Sequence, residues 1–215
     1  MRTLLLAAVL SLAAAPASAQ PQFVVKGGLA TATFSGDDVD FLFEDELVDQ
    51  PRLGFTAGAG VLVPLSPSLG VQVEALYTQK GAVFEDEFGL PYQETTRLDY
   101  LEVPATLRLA LPVGPLLDVG VSAGGYVGVP LSSEVAVEDG GDSFVNELDT
   151  NTDYGALVGL DIGSGATFVE ARYAFGLTDA VDFDPALDVA PDYRNQSLTL
   201  TFGLRFGGDR YRGRY

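Results

Sequence analysis

The sequence predicts an all-β fold, an eight-stranded antiparallel up-and-down transmembrane β-barrel with short periplasmic turns and long acidic external loops. Eight segments of about a dozen residues alternate apolar side chains with small or polar ones, which is the period of a strand with two different faces. The segments are joined by links that are alternately short and long, as in membrane barrels. The short links lie at residues 64–68, 112–115 and 163–166.

The start of the chain is predicted to be a secretory signal peptide. Arg2 precedes an apolar run over residues 4–15, and a small-x-small cleavage site follows at residues 17–19. The run is too short for a transmembrane helix, and no other segment offers about 18 consecutive apolar residues. The chain has no cysteine, so disulfide bonds cannot stabilise it. We therefore divide the chain into a signal peptide over residues 1–19, a barrel domain over 20–206 and a short basic tail over 207–215.

The first four predicted strands cover residues 22–34, 52–63, 69–80 and 99–111. The first places Lys26 on its inner face, and the second alternates large apolar residues with glycine and threonine. The third and fourth separate an apolar face from a polar one. These apolar faces hold Leu69, Val71, Val73, Ala75 and Tyr77 in the third strand, and Leu101, Val103, Ala105, Leu107, Leu109 and Leu111 in the fourth. An apolar face on one side only is typical of a strand between lipid and a lumen.

The last four predicted strands cover residues 116–129, 153–163, 166–177 and 195–206. The fifth and sixth have inner faces rich in glycine. The seventh and eighth alternate clearly, with outward residues Thr167, Val169, Ala171, Tyr173, Phe175 and Leu177, and Leu198, Leu200, Phe202, Leu204 and Phe206. Because an eight-stranded barrel is just wide enough for side chains inside, we interpret the inner glycines as packing space beside Tyr126 and the arginines.

The inner faces of the predicted strands carry charge, whereas the outer faces carry almost none. The inner charged residues are Lys26, Lys80, Arg108, Arg172 and Arg205, with Glu74, Glu102, Asp118, Asp161 and Glu170. Burying these charges in the dry core of a soluble barrel would be very costly, but a lumen sealed from lipid can pair them. Equal numbers of both signs predict a neutralised plug, which charge reversal at Arg108 and Glu74 would test. A path selective for one ion would show a bias of sign.

The formal net charge of −18 is concentrated in the predicted loops. Of the 30 acidic residues, 22 lie in four long links, at residues 35–51, 84–97, 130–151 and 178–193. Such an acidic surface argues against nucleic acid as a partner. It is typical either of a high-salt habitat or of a surface that accumulates cations.

No catalytic, cofactor-binding or metal site is predicted, and we expect a protein that is not an enzyme. The chain has neither histidine nor cysteine, which excludes Ser-His-Asp and Cys-His arrangements and zinc sites. Glu74 and Glu102 could do acid-base chemistry, but basic residues nearby favour structural pairing. Residues 36–40 and 85–87 are dense in acid, as a calcium site would be, yet neither follows EF-hand spacing.

Four of these stretches also resemble a known family. Residues 23–34 (FVVKGGLATATF), 53–82 (a strand-turn-strand unit), 98–111 (LDYLEVPATLRLAL) and 197–206 (SLTLTFGLRF) resemble the PorT-like outer-membrane β-barrel family of Bacteroidetes-type bacteria. That family is a relative in architecture of the small eight-stranded OmpA and OmpX barrels. The resemblance implies an outer-membrane location, contact with outer-membrane lipid, insertion by the barrel-assembly machinery, and termini on the periplasmic side.

Three classes of function remain open. The first is a non-enzymatic outer-membrane barrel whose acidic external loops meet the environment or an unidentified protein partner, for envelope integrity, adhesion or an accessory role in secretion. The second is a narrow channel for ions or small amphiphiles. The third is a soluble periplasmic barrel that binds an apolar ligand, which would require an apolar interior and is disfavoured by the distribution of charge.

Overall fold

A computed structural model describes residues 20–35, 47–86, 92–113, 116–139, 142–148, 150–179 and 194–207. Its strands are β1 (Gln22–Ser35), β2 (Leu47–Pro64), β3 (Leu69–Lys80), β4 (Ala82–Asp86), β5 (Tyr92–Pro112), β6 (Asp118–Asp139), β7 (Asp142–Glu147), β8 (Asp153–Ser164), β9 (Thr167–Asp179) and β10 (Arg194–Phe206). Among the described residues, no helix has the length and apolar character needed to span a membrane.

The strands form one closed antiparallel barrel with eight positions around the ring. β1 pairs with β2 on one side and with β10 on the other, so the first and last strands close the ring. Two of the eight positions in the ring are each occupied by two strands that follow one another in the sequence. β3 is followed by β4 after a break at Gly81, and both pair with β2 and β5. β7 precedes β8, and both pair with β6. The ring order is β1, β2, β3/β4, β5, β6, β7/β8, β9 and β10. The predicted eight-stranded up-and-down barrel is confirmed.

The short links lie together at one rim, which we call the turn end. They join β2 to β3 after Pro64, β5 to β6 after Pro112 and β8 to β9 after Ser164, where the sequence predicts short links. Gly165 has a φ of 60°, a left-handed conformation that glycine adopts without steric cost. The turn end also holds Gln22 and Phe206, the outer ends of β1 and β10. We call the opposite rim the loop end.

The strands rise further at the loop end than the sequence predicts. Residues 84–97 and 130–151 are predicted as loops, but β4 and β5 occupy most of the first range, and β6 and β7 most of the second. The predicted bounds of these two loops are wrong because the outward positions of the extensions hold polar residues such as Thr95, Arg97 and Ser132, so the apolar outer face that marks a strand in the membrane is missing. The predicted loops at 35–51 and 178–193 lie mostly outside the described residues.

A continuous apolar band surrounds the outer face. On β5 it runs from Leu101 to Leu111, and its large side chains are 40% to 54% exposed. Between these two residues the strand advances about 33 Å at about 3.3 Å per residue, and a strand tilt of about 40° reduces this to a height of about 25 Å. That height matches the apolar band of outer-membrane barrels. The outward assignment of this face is therefore confirmed.

Aromatic residues mark both borders of the apolar band. At the turn end, Phe23 stacks on Phe206 across the β1–β10 seam, with ring centroids 6.0 Å apart. Toward the loop end, Phe55 packs against Tyr77 with centroids 5.3 Å apart. Rings at these two heights are typical of side chains at membrane interfaces.

Two adjacent glycines of β1 differ in the space around them, and one of them lies close to the backbone of β10 at the β1–β10 seam. A Cβ on Gly28, which faces the lumen, would lie 2.0 Å from the carbonyl oxygen of Leu200 and 2.7 Å from Cα of Thr201. A Cβ on Gly27, which faces outward, would meet nothing nearer than 3.6 Å. We expect Gly28→Ala to lower the free energy of unfolding by about 1–3 kcal/mol, because backbone atoms cannot rotate away from the added methyl group.

The matched control is Gly27→Ala, which we expect to be neutral or slightly stabilising, since alanine restricts the unfolded chain. The measurement is the urea midpoint in detergent micelles, followed by the gel mobility of unboiled samples. Equal midpoints for the two variants would show that the seam is looser than the structure has it.

Candidate functional site

The charged interior is the candidate functional site. All ten charged residues predicted for the inner face lie on the lumen side of their strands, and eight of them are buried. The exceptions are Arg205, which is half-buried, and Asp118, whose side chain is 43% exposed at the turn end. These residues form three clusters along the barrel axis, which we call the turn-end, middle and loop-end clusters.

The turn-end cluster is centred on Asp161 of β8. Arg108 of β5 donates two hydrogen bonds to its carboxylate, at 2.8 and 2.6 Å. Arg205 of β10 donates a third at 2.7 Å. Arg108 also donates to Asp118 at 3.0 Å. Because β5 and β10 occupy opposite positions in the ring, this cluster spans the lumen, with the Arg205 guanidinium 3.9 Å from the centroid of the Phe168 ring.

The middle cluster is a closed ring of two cations and two carboxylates. Lys26 Nζ of β1 lies 2.8 Å from Glu74 of β3 and 2.8 Å from Glu170 of β9. Arg172, also on β9, lies 2.6 Å from Glu74 and 2.9 Å from Glu170. All four side chains are at most 6% exposed. β3 and β9 are on opposite sides of the barrel, so the Glu74–Arg172 pair joins facing walls.

The loop-end cluster is centred on Lys80 of β3. Its Nζ lies 2.6 Å from Glu102 of β5 and 3.0 Å from Asp153 of β8, and 4.5 Å from the centroid of the Tyr126 ring. Asp153 Oδ2 also accepts hydrogen bonds from Tyr126 at 3.1 Å and from Asn195 at 3.0 Å. Two carboxylates therefore share one ammonium group in a fully buried position.

Asp153 and Asn195 are the interior residues that the sequence reasoning missed. Both are fully buried. Asp153 is an even number of residues from Asp161, so the strand period places both on the same face. The signal was present, but Asp153 begins its segment, where a strand cannot be told from the preceding loop.

Arg108 and Glu74, the two positions named for a charge-reversal test, do not contact each other. Arg108 belongs to the turn-end cluster and Glu74 to the middle cluster. Glu74 and Glu102, which face the lumen on neighbouring strands, are likewise held in separate clusters. Barrel strands are staggered against one another, and partners can come from non-adjacent strands, so positions along the sequence do not give heights in the lumen.

The lumen is less polar than the sequence predicts. Inward-facing apolar side chains form three clusters, and they are Phe34, Ala82, Phe84, Leu98 and Tyr100; Tyr126, Leu157 and Ala174; and Val24, Leu62 and Phe168. Leu148 packs against the first of these clusters. The expectation of only small or polar inner residues is therefore wrong at these positions. Two of these clusters contact the charges directly, through Tyr126 against Lys80 and Phe168 against Arg205.

One small cavity lies among the charged residues of the described lumen. A cavity of about 10 Å³ lies between Lys26, Glu102, Tyr126 and Arg172. This volume is about the lower limit for a single water molecule. A hydrated ion does not fit there unless side chains move.

A closed barrel with a filled, charge-paired interior and an apolar outer band defines the class of small outer-membrane β-barrel proteins. The chain belongs to the outer membrane protein beta-barrel domain family, whose model matches residues 18–182. The protein is accordingly located in the outer membrane, in contact with its lipid. No curated protein matches the sequence.

Several solved outer-membrane barrels are similar in fold. Ail, the attachment invasion locus protein of Yersinia pestis, is 15% identical with a TM-score of 0.45, over 86% of this chain and 99% of Ail. Neisserial surface protein A is 12% identical with a TM-score of 0.44, over 86% of this chain and 97% of that one. OprG of Pseudomonas aeruginosa is 12% identical with a TM-score of 0.45, over 86% and 95%. These likenesses concern the fold alone.

Proposed function

We propose that this protein is a non-enzymatic outer-membrane barrel with a closed lumen, which acts through the surfaces it presents at its loop end. The observation that carries the proposal is the plug of three charged clusters, two of which join opposite walls of the barrel. A rigid scaffold with a sealed interior supports a role in envelope integrity, adhesion or as an accessory to secretion.

The plug favours a scaffold over a channel. The turn-end and middle clusters each pair two cations with two carboxylates, so neither gives the lumen a bias of sign. Apolar side chains also fill the lumen beside these charges, as Phe168 does against Arg205, and an apolar constriction resists wetting. Conduction would require several buried ion pairs to break together. The same charges disfavour a soluble barrel with an apolar ligand in its interior.

The loop end carries the features that support an interaction role. β6 and β7 form a hairpin that extends beyond the barrel positions of β8 and β9. On this hairpin, Phe144 and Val145 are both exposed. Because successive side chains of a strand point to opposite faces, these two residues offer apolar surface on both sides of the hairpin. The acidic segments at residues 36–46 and 180–193 adjoin the same rim in the chain but lie outside the described residues.

The proposal includes a route of export and an orientation. Residues 1–19 would act as a cleaved signal peptide, and the barrel-assembly machinery would insert the folded domain with its turn end in the periplasm. Membership of the PorT-like group within the outer-membrane barrels is supported by the four stretches of resemblance. Mass determination of the protein purified from outer membranes would test cleavage after Ala19, and protease access to the β6–β7 hairpin on intact cells would test the orientation.

A measurement of ion flux across vesicle membranes distinguishes a closed scaffold protein from a narrow channel. We expect vesicles of phosphatidylethanolamine and phosphatidylglycerol that contain the wild-type protein to retain potassium as protein-free vesicles do. A channel-forming barrel in the same vesicles provides the positive control, and a heat-dependent gel shift of the recovered protein shows that it is inserted and folded. Steady release of potassium by the folded wild-type protein would contradict the closed lumen and favour the narrow channel.

A further inference from the structure

The outer face of the barrel becomes polar immediately above the apolar band on β3, β5 and β6. The last apolar row contains Tyr77 and Leu101, which are cross-strand partners. In the next row, Gln79 pairs with Asp99, and Asp99 pairs with Ser132. These side chains border an open cavity of about 510 Å³, which we call the rim pocket. Its lining residues are Arg52, Leu53, Gln79, Thr95, Arg97, Asp99, Ser132 and Glu134.

The rim pocket holds two arginines that are not neutralised by salt bridges. The five luminal cations all lie within ion-pair distance of carboxylates. Within the described part of the chain, neither Arg52 nor Arg97 forms a salt bridge. Arg52 donates a hydrogen bond to the carbonyl oxygen of Lys80, which orients its guanidinium group beside the pocket. The pocket also contains two carboxylates, Asp99 and Glu134, so its formal charges balance. In the described part of the chain neither carboxylate is within salt-bridge distance of the two guanidinium groups, whose N–H groups can donate to a further acceptor.

One carboxylate of the pocket is already engaged by a neutral donor. The Tyr77 hydroxyl donates to Asp99 at 2.6 Å, and Gln79 donates to the Tyr77 oxygen at 3.3 Å. Glu134 is the cross-strand partner of Arg97 and faces the same pocket. The free donors are thus the two guanidinium groups together with hydroxyl and amide groups, a set suited to phosphate oxygens.

We propose that the rim pocket binds the phosphate of a lipid headgroup in the surrounding leaflet. The pocket stands at the border of the band, at the height where headgroups meet acyl chains. Below it, Leu101 and Val103 present exposed apolar surface along which the acyl chains of the same lipid would lie. A free phosphate ion would use the arginines but not this apolar surface, so the geometry favours a lipid.

The test compares a lipid that has a phosphate-containing headgroup with one that lacks it. Delipidated wild-type protein in detergent is mixed with phosphatidylglycerol or with diacylglycerol of the same acyl chains, and bound lipid is counted by native mass spectrometry. We expect one phosphatidylglycerol to be retained in preference to diacylglycerol. Arg97→Gln should weaken this binding by about tenfold, the low end for a hydrogen bond to a charged group. Glu134→Gln should strengthen it, because it removes a repelling carboxylate.

Arg194→Gln is the matched control, since it removes an exposed arginine at the loop end that is outside the rim pocket. It should leave lipid binding unchanged, and the heat-dependent gel shift checks that each variant is folded. Equal losses for Arg97→Gln and Arg194→Gln would overturn the site. Equal retention of both lipids would overturn phosphate recognition. Displacement of the lipid by an equimolar amount of inorganic phosphate would overturn the lipid as the ligand, because the acyl chains would then add nothing to binding.

Discussion

Exchange of Glu74 for glutamine is expected to lower the free energy of unfolding by about 3 kcal/mol, the lower end of what breaking a buried ion pair costs. Glu74 is the only link of β3 to the middle cluster, where its carboxylate lies between Lys26 and Arg172. Glutamine keeps the shape but removes the charge. Both cations then share Glu170, and the cluster carries an uncompensated positive charge out of contact with water.

Arg172→Met tests the same balance with the opposite sign. It should destabilise the barrel by about 3–5 kcal/mol, because two buried carboxylates are left with Lys26 alone. In the double variant, Lys26 and Glu170 remain as a neutral pair. We therefore expect the double variant to lose about 2 kcal/mol less than the sum of the single losses, within the range found for directly interacting residues.

Asp118→Asn is the control for this cycle, since its side chain is 43% exposed and its ion pair with Arg108 is screened by solvent. Its effect should remain below about 1 kcal/mol. The measurement is urea unfolding of each variant in the same micelles. Strict additivity of Glu74→Gln and Arg172→Met would be incompatible with a charge-balanced ring and would remove the main support for the plug.

The fold could be predicted from the sequence because each strand of a membrane barrel alternates residues that face lipid with residues that face the lumen. The outward series from Leu101 to Leu111 and the inward charges such as Glu102 and Arg108 follow this period without exception. Where both faces meet water, as in the second half of β6 and in β7, the contrast is lost and the strand looks like a loop. Inward apolar residues such as Leu98 and Phe168 were missed for a related reason, because a side chain that seals a lumen has the composition of one that faces lipid.

The pairing inside the lumen could not be predicted for a geometric reason. Alternation gives the face of a residue but not its height, and height depends on the stagger of all eight positions. Arg172 and Glu74 are far apart in the chain and on opposite walls, yet their side chains meet at 2.6 Å. The rim pocket depends on the same information, since Arg52 and Arg97 come together only when β2, β4 and β5 are aligned at the loop end.

Replacement of a lipid-facing leucine by arginine should separate exposure to lipid from exposure to water. Leu107 of β5 is 54% exposed near the middle of the apolar band, and Phe144 of β7 is 60% exposed on the hairpin above the rim. On accessible surface alone the two positions are equivalent. We expect Leu107→Arg to lower the free energy of unfolding in lipid by about 2–4 kcal/mol, the cost of an arginine at the bilayer midplane.

Phe144→Arg is the matched control, and its cost should be about 0–1 kcal/mol, because the guanidinium group remains hydrated outside the hydrocarbon region. The measurement is reversible urea unfolding of both variants in phosphatidylcholine vesicles. A similar small effect at both positions would mean that the leucine-rich face of β5 does not lie in hydrocarbon, and the outer band would have to be reassigned to a protein interface. A large effect at Phe144 alone would instead identify the hairpin as the part that enters an apolar environment. A larger loss of stability for Leu107→Arg than for Phe144→Arg is the result that agrees with the proposed apolar band. On β5 this band ends at Leu101, and the polar residues Asp99 and Arg97 lie beyond it.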